Sequence, residues 1–180
     1  MPTLQASKEM RNLELNIKVI FSEGKQKEKE NFRFRSFMKG QDSKLIDKIV
    51  HKLYNEILSQ IDCQECGNCC QSLRPLLASK EIKYLSDLEN ISTKEYIARF
   101  VEEDEFGKLK CLKDCPCRYL EGKNCSIYKQ RPEECVSYPF LHKAEFVSRT
   151  LSAIDNYEIC PIVYNVFEQL KTVLNFAITK

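Results

Sequence analysis

The stretch Cys63-Gln-Glu-Cys66-Gly-Asn-Cys69-Cys70 determines how the rest of this sequence is interpreted. Two residues between successive cysteines allow a tight turn to bring the sulfurs to one centre, as in zinc knuckles and iron–sulfur loops. Gly67 can take a positive φ, which allows backbone N–H groups to point at sulfur. A bacterial ferredoxin run would place its next cysteine at position 73, but Leu73 stands there. A further ligand therefore has to come from elsewhere in the chain.

Cys69 and Cys70 are adjacent, and neighbouring side chains usually diverge from each other. We therefore expect their sulfurs to serve two different centres, or one of the two to be a spare. This expectation argues against a single simple zinc site.

Candidate partners for the first cluster lie in the second half of the chain, at Cys117, Cys125, Cys135 and Cys160. Pro161 predicts that a helix begins there with Cys160 as its N-cap. The positive end of the helix dipole favours the thiolate, which is the form that a metal binds. A short helix that starts at Pro132 is expected to favour the thiolate of Cys135 in the same way.

The ten cysteines in this chain of 180 residues could be metal ligands or disulfides, and the choice depends on the redox state of the compartment. The sequence begins without an apolar signal segment, and it has no uncharged apolar stretch of about 18 residues. We therefore expect a cytoplasmic protein with no membrane contact. Thiols stay reduced in that compartment, so the cysteines are interpreted as ligands rather than as disulfides.

The charge of the chain is balanced, since 28 basic and 26 acidic residues leave a net charge of +2. This balance gives no electrostatic case for nucleic acid or an anionic membrane as a partner, and it leaves a protein partner open. An apolar fraction of 43% is ordinary for a soluble globular protein. The P-loop, dinucleotide-binding and HExxH motifs are all absent from the sequence.

Histidine is represented only by His51 and His142, so the candidate site is rich in thiolate and poor in imidazole. Such a set selects zinc or iron–sulfur chemistry. His142 is interpreted either as a lone ligand or as a packed or exposed side chain. For Cys111 and Cys115, burial as a small hydrophobic residue and an auxiliary role are equally open. Arg131 is placed to neutralise thiolate charge, although an ordinary ion pair is an equal alternative.

Residues 1–41 are expected to form an accessory arm, and residues 42–180 the metal-binding domain. Alternation of apolar and polar residues predicts a strand over residues 13–21, and Phe32 and Phe34 alternate with arginines on a second strand. The charged segment 22–30 between them predicts a solvated loop. A helix around Phe32–Lys39 is the competing interpretation.

The domain itself is predicted to be mainly α, with short β hairpin elements, as a small irregular domain organised around a cysteine-ligated metal site. The 3,4 spacing of apolar residues predicts helices over residues 43–61, capped by Asp42 or Ser43, and from Pro161 onward. Shorter helices are expected from Ser79 to about Leu88, from the capping box Ser92–Glu95 to about Glu102, and over 145–155. The segment 108–128 is expected to be irregular, with a hairpin that turns at residues 122–124.

The motifs together resemble a known family. The run Cys63–Cys70 matches CxxCxxCC, and Cys117-Arg-Tyr-Leu, Cys125-Ser-Ile-Tyr, Arg131-Pro, Cys135 and Cys160-Pro161 follow in order. This arrangement resembles the cysteine-cluster family often called YkgJ-type, which is described as chelating zinc or iron, over roughly residues 43–170. The resemblance implies a metal site of eight residues: Cys63, Cys66, Cys69, Cys70, Cys117, Cys125, Cys135 and Cys160. Some family members are associated with flagellin lysine N-methylation, but no residue in this chain supports binding of a substrate or methyl donor.

We therefore predict a protein that holds an iron–sulfur cluster or zinc through these eight cysteines, with mononuclear or dinuclear iron as the alternative cofactor. Two other functions stay open. One is a structural zinc-binding interaction module, and the other is a cluster-dependent enzyme that modifies proteins or performs redox chemistry. The sequence identifies no catalytic residue.

Overall fold

A computed structural model describes residues 12–103, 107 and 109–177 of the chain. Within these ranges the chain divides into two compact units. Unit 1 consists of residues 12–62 and 139–177, and unit 2 consists of residues 63–138. The predicted fold class is confirmed, because helices predominate and the strands form two short antiparallel hairpins. None of the helices in the described ranges combines the length and the apolar character needed to cross a membrane.

Unit 1 is a group of helices around α10. Its elements are α1 (Ile17–Gln26), α2 (Glu28–Met38), α3 (Ser43–Leu58), α9 (Thr150–Tyr157) and α10 (Pro161–Val173). Helix α10 packs against α3, α9 and α1, and α2 packs against α9. The ring of Phe167 on α10 contacts three other aromatic rings, with centroid separations of 6.1 Å to Phe34, 5.9 Å to Phe146 and 5.6 Å to Tyr157. These rings form the centre of a buried core that also contains aliphatic side chains such as Val50 and Leu170.

The two longest helices of unit 1 match the sequence-based expectation. Asp42 caps α3, since its Oδ1 accepts hydrogen bonds from the backbone N–H groups of Lys44 (2.9 Å) and Leu45 (3.3 Å). Helix α10 begins at Pro161 with Cys160 as its N-cap, as predicted. Helix α3 ends at Leu58 rather than at residue 61, and the helix expected over 145–155 begins only at Thr150.

The strands predicted for residues 13–21 and for Phe32 and Phe34 are wrong, and so is the loop over residues 22–30. Helix α1 buries Ile20 and Gly24, four residues apart on one helical face. Gly24 is required there because a Cβ atom would lie 2.4 Å from the Cβ of Glu158. Since glycine adds nothing to an apolar pattern, the helical period was hidden in the sequence. The competing helix around Phe32–Lys39 is confirmed as α2, which buries Phe34 and Met38.

Unit 2 is built from short elements. They are α4 (Cys63–Cys66), α5 (Asn68–Ser72), α6 (Ser79–Leu88), α7 (Thr93–Phe100), β1 (Val101–Glu103), β2 (Lys110–Leu112), β3 (Leu120–Glu121), β4 (Asn124–Cys125), a 3₁₀ turn (Tyr128–Gln130) and α8 (Glu133–Ser137). Strand β1 pairs with β2, and β3 pairs with β4. The core of unit 2 is small: Leu77, Ile82, Leu85, Tyr96, Leu112, Tyr119 and Ile127.

The predicted elements of unit 2 are largely confirmed, with shifts at their ends. The N-cap of α6 is Ala78 rather than Ser79, and its backbone N–H donates to the Glu81 carboxylate at 2.6 Å. Ser92 caps α7 as expected, accepting from the N–H of Glu95 at 3.2 Å. The extension of α7 to Glu102 is wrong, because residues from Val101 onward form β1. The hairpin predicted to turn at residues 122–124 is present as β3–β4.

Candidate metal centre

The CxxCxxCC stretch folds into two single helical turns, α4 and α5, joined at Gly67. Gly67 has a φ of +61°, as the sequence suggested, and its N–H donates to the carbonyl of Cys63 at 3.0 Å. A Cβ atom at this position would lie 2.5 Å from the carbonyl oxygen of Lys123, in the β3–β4 turn. Glycine therefore allows the first cysteine cluster to lie directly against the hairpin that contains Cys125.

A backbone hydrogen bond places Cys117 beside α5, and the other distal cysteines of unit 2 lie on β4 and α8. The N–H of Cys117 donates to the carbonyl of Cys70 at 2.8 Å. Cys125 lies on β4 opposite Leu120, and both Cys117 and Cys125 pack against the core of unit 2. Cys135 lies on α8, the short helix that follows Pro132, as predicted. Residues far apart in sequence therefore come together around Cys70.

The sulfurs of Cys69 and Cys70 lie 4.0 Å apart. The expectation that neighbouring side chains would diverge here is therefore wrong. The pKa of Cys70 is lowered to about 7, and the largest cause is a hydrogen bond with Cys69. Burial opposes this decrease, and the positive charge of Arg131 adds to it. Cys70 is therefore the cysteine of this group with substantial thiolate character near neutral pH.

The other three thiols of the group favour the protonated state in the absence of metal. Burial is the largest cause that raises the pKa of Cys117 and of Cys125, and the charge of Cys70 raises both further. Burial also raises the pKa of Cys135 to about 12, with added repulsion from the charges of Cys70, Cys117 and Cys125. These effects identify Cys70, Cys117, Cys125 and Cys135 as one electrostatic group, which we call the inner four cysteines.

Three of the eight predicted ligands lie outside the inner four and Cys69. Cys63 and Cys66 lie at the two ends of α4, which contacts β4, the strand that contains Cys125. Cys63 is exposed and Cys66 is half-buried. Cys160 is buried at the N-cap of α10 and belongs to unit 1. Its role as a ligand stays a prediction.

Cys111 and Cys115 differ from each other in the structure. Cys111 is buried on β2, where its thiol donates to the carbonyl of Glu102 at 3.7 Å, as expected for a small core residue. Cys115 is exposed, and its thiol donates to the carbonyl of Gln71 at 3.3 Å, one residue after Cys70. Cys115 therefore lies at the border of the cluster.

The two histidines lie in unit 1 and contact other residues of that unit. The ring of His142 lies 6.1 Å from that of Tyr54, and Nε2 of His51 lies 3.3 Å from the carbonyl oxygen of Lys143. His142 is exposed, so its interpretation as a packed or exposed side chain accounts for its position.

Sequence reasoning did not identify the supporting role of Arg118, which follows Cys117. Its guanidinium lies 3.3 Å from the ring centroid of Phe100 and forms an ion pair with Glu89 at 3.0 Å. The neighbouring Tyr119 shares a 2.9 Å hydrogen bond between hydroxyl groups with Tyr96. These contacts fix the backbone that carries Cys117. The pairing partners are distant in sequence, so no local pattern could have indicated them.

The donor set fits a thiophilic metal. Two thiolates on one tetrahedral zinc ion, with Zn–S bonds of about 2.3 Å, are about 3.8 Å apart. The 4.0 Å separation of the Cys69 and Cys70 sulfurs is close to that value. In the described part of the chain, no three cysteine, histidine or carboxylate side chains form a complete metal-binding group. A metal held by the cluster would therefore require some of its sulfurs to draw closer together.

A comparison with protein families matches residues 62–159 of the chain. The matching family is named CxxCxxCC and described as a "putative zinc- or iron-chelating domain". This chain belongs to the CxxCxxCC family. The match contains every predicted ligand except Cys160. Searches of curated proteins and of solved structures found no match.

Proposed function

We propose that this CxxCxxCC protein holds zinc or iron, as a single ion or as an iron–sulfur cluster, through cysteine thiolates of unit 2. The inner four cysteines and Cys69, which is adjacent to Cys70, are the primary candidate ligands, and one metal takes up to four of their thiolates. Cys63 and Cys66, the other predicted ligands in unit 2, lie on the short helix α4.

The observation that supports this proposal is the convergence of the inner four cysteines on one another. Four thiols from α5, from the segment before β3, from β4 and from α8 lie close enough for their charges to interact. Free thiolates would repel one another in this half-buried region, whereas a bound divalent cation attracts each of them and outweighs that repulsion. Cys70 supplies a thiolate near neutral pH, and the other three lose their protons as metal binds.

The Cys69–Cys70 spacing favours a centre in which one metal takes two thiolates. Tetrahedral zinc is such a centre, and so is one iron of a [2Fe–2S] cluster with four cysteine ligands. In a [4Fe–4S] cluster, four cysteines are distributed over four irons. We therefore infer zinc or [2Fe–2S] ahead of [4Fe–4S].

The metal is proposed to act chiefly on the stability of unit 2. Its elements are short, and its core contains seven buried residues. Small domains of this kind usually need a metal or disulfides in addition to apolar burial. Cross-linking α5, β4 and α8 through one metal would supply that stabilisation.

The full-length protein should be purified under anaerobic conditions and analysed for zinc, iron and acid-labile sulfide. Absorption and Mössbauer spectra then identify any iron centre. We expect stoichiometric metal, greatly reduced in Cys70→Ser and Cys135→Ser, and unchanged in Cys115→Ser as the matched control. A wild-type protein without zinc or iron, or with its cysteines in disulfides, would overturn the proposal.

A further inference from the structure

The carboxylate of Glu81 joins the starts of two helices in unit 2. Its Oε2 accepts a hydrogen bond from the N–H of Ala78, the N-cap of α6, at 2.6 Å. Its Oε1 accepts a second hydrogen bond from the N–H of Glu133, the first residue of α8, at 2.7 Å. The second bond spans 52 residues of sequence. Glu81 is therefore more than the cap of its own helix, because it also ties α8 to α6.

Helix α8 needs an acceptor of this kind. It is one helical turn of five residues, and the first N–H groups of a helix have no partner within it. Its N-cap is Pro132, whose side chain makes no capping hydrogen bond. None of the five residues of α8, all of which the structure describes, is fully buried, so apolar burial contributes little to holding this helix in place. The bond to Glu81 therefore supplies a cap that the local sequence does not.

Glu81 lies on a helix that apolar packing holds in place. The neighbouring Ile82 and Leu85, also on α6, are each 1% exposed and belong to the core of unit 2. Helix α6 also packs against α7. Both hydrogen bonds of the Glu81 carboxylate are short for N–H···O contacts, as is usual where the acceptor is a carboxylate. Glu81 therefore attaches α8 to the packed core of unit 2.

The residue that α8 contributes to the candidate metal centre is Cys135, which follows Glu133 by two positions. The N–H of Cys135 donates to the carbonyl of Pro132 at 2.9 Å, so Cys135 moves with the turn that Glu81 holds. A Zn–S bond of about 2.3 Å tolerates an error of only about 0.2 Å. A small displacement of α8 would therefore take the Cys135 sulfur out of reach of a metal that the other thiolates hold.

We propose that Glu81 is a positioning residue that holds α8, and with it the thiol of Cys135, at the metal centre. This inference rests on the proposed function. It predicts that loss of the Glu81 carboxylate loosens Cys135 selectively, while the thiolates on α5 and β4 stay bound. Groups outside the ligand shell typically change metal affinity by about 10- to 100-fold when they are removed. We expect the lower end of this range, because Glu81 acts through the backbone rather than on a sulfur.

The test compares the full-length wild type with E81A and with S92A as the matched control. Ser92 caps α7 through the N–H of Glu95 at 3.2 Å, and no cysteine lies on α7. Both variants therefore lose a helix cap in unit 2, and both place a good helix former or a neutral side chain at the position, but only E81A loses the bond to α8. Zinc affinity is measured under reducing conditions by competition with a chromophoric chelator. We expect E81A to bind zinc about 10-fold more weakly and S92A to stay within about threefold of wild type.

Site-resolved alkylation separates positioning from general stability. Each protein is held in excess zinc and treated with iodoacetamide, and the labelling rate of each cysteine is read by mass spectrometry. In E81A, Cys135 should be labelled several-fold faster than in wild type, whereas Cys70, Cys117 and Cys125 should keep the wild-type rates. A second variant, E81Q, has one acceptor oxygen in place of two and should lie between E81A and wild type. Circular dichroism checks the fold of each variant, and E81Q decides the question if E81A does not fold.

The outcomes distinguish this inference from the function on which it rests. If the wild type binds zinc and loss of the Glu81 carboxylate changes neither affinity nor labelling, the role of Glu81 is overturned and the metal centre stands. The same holds if all four cysteines are labelled faster together, or if S92A weakens zinc binding as much as E81A does. If the wild type binds neither zinc nor iron, the proposed function is overturned, and this inference with it.

Discussion

Unit 1 and unit 2 differ in what fills their interiors. Unit 1 buries aromatic rings around Phe167, and the longest helices in the described part of the chain, α3 and α10, pack against each other there. Unit 2 has a core of seven residues and gathers the inner four cysteines around short turns and hairpins. The comparison teaches that one chain uses two sources of stability, apolar burial in unit 1 and proposed metal–thiolate bonds in unit 2. Each prediction below tests one side of this contrast.

Metal removal should have the largest effect, and it should affect unit 2 alone. Structural zinc contributes about 10–16 kcal/mol in small zinc domains, so a strong chelator should destabilise unit 2 by at least about 5 kcal/mol. Hydrogen exchange read by mass spectrometry should show loss of amide protection in α4, α5, β3–β4 and α8. Amides of α3 and α10 should keep their protection. Unchanged exchange in unit 2 would contradict a stabilising metal.

Truncation of the Phe167 side chain should destabilise unit 1 and leave unit 2 unaffected. Phe167 is fully buried, and Phe167→Ala should lower the free energy of unfolding of unit 1 by about 3–5 kcal/mol, because it leaves a cavity among three rings. Denaturant unfolding measures the loss. Phe32→Ala is the control, since that ring is 43% exposed and should cost less than about 1 kcal/mol. Metal content of the folded Phe167→Ala protein should match wild type, and reduced metal content would show that the two sources of stability are not separate.

A methyl group at Gly67 should weaken the cysteine cluster. Gly67→Ala combines a positive φ with a Cβ only 2.5 Å from the Lys123 carbonyl, so we expect a cost of about 1–3 kcal/mol and weaker metal binding. Gly122→Ala is a matched control, because Gly122 has a φ of +65° but no atom within 4 Å of the added Cβ. Isothermal titration with zinc should therefore show a larger loss for Gly67→Ala. Equal losses in the two variants would exclude the contact with Lys123 as the cause.

The smallest expected effect concerns pH and unit 1. Burial by itself raises the pKa of Glu168, but hydrogen bonds from Lys171, Lys27 and Tyr157 outweigh it and lower the pKa below its ordinary value of 4.5. A depressed carboxyl pKa stabilises the fold above the unfolded pKa, and this stabilisation is lost as pH falls through the folded pKa. We expect Glu168→Gln to cost about 1–2 kcal/mol at pH 7 and less at pH 3. Thermal melts at both values test this, and an equal cost at both would contradict the assignment.

Long apolar patterns made unit 1 partly predictable from the sequence. The 3,4 spacing of buried residues on α3 identified a helix with its cap at Asp42, and Pro161 marked the start of α10. Helix α1 was hidden because its buried face uses Gly24 and the half-buried side chains of Glu23 and Lys27, which bond to α10 residues. A face built from glycine and paired charges has no hydrophobic period to detect.

The sequence predicted which cysteines belong to the candidate site, but not which of them lie together in one group. Spacing identified CxxCxxCC, and the distal cysteines followed from their placement before short helices and in the hairpin. The choice of Cys70, Cys117, Cys125 and Cys135 as one group depends on tertiary contacts, such as the hydrogen bond from the Cys117 N–H to the Cys70 carbonyl. The convergence of the Cys69 and Cys70 sulfurs depends on their side-chain rotamers within one helical turn, which spacing does not determine.

The two segments of unit 1 lie on either side of unit 2 in the sequence, and this order matters during synthesis. Helices α1–α3 emerge from the ribosome first, and every cysteine of unit 2 follows before α10 exists. At about 5–20 residues per second, the ribosome needs roughly 2–7 s to proceed from residue 139 to the end of α10. For that interval the cysteine-rich segment is complete while α3 lacks the helix on which it packs. The newly made thiols therefore have an opportunity to take up metal before unit 1 can finish folding.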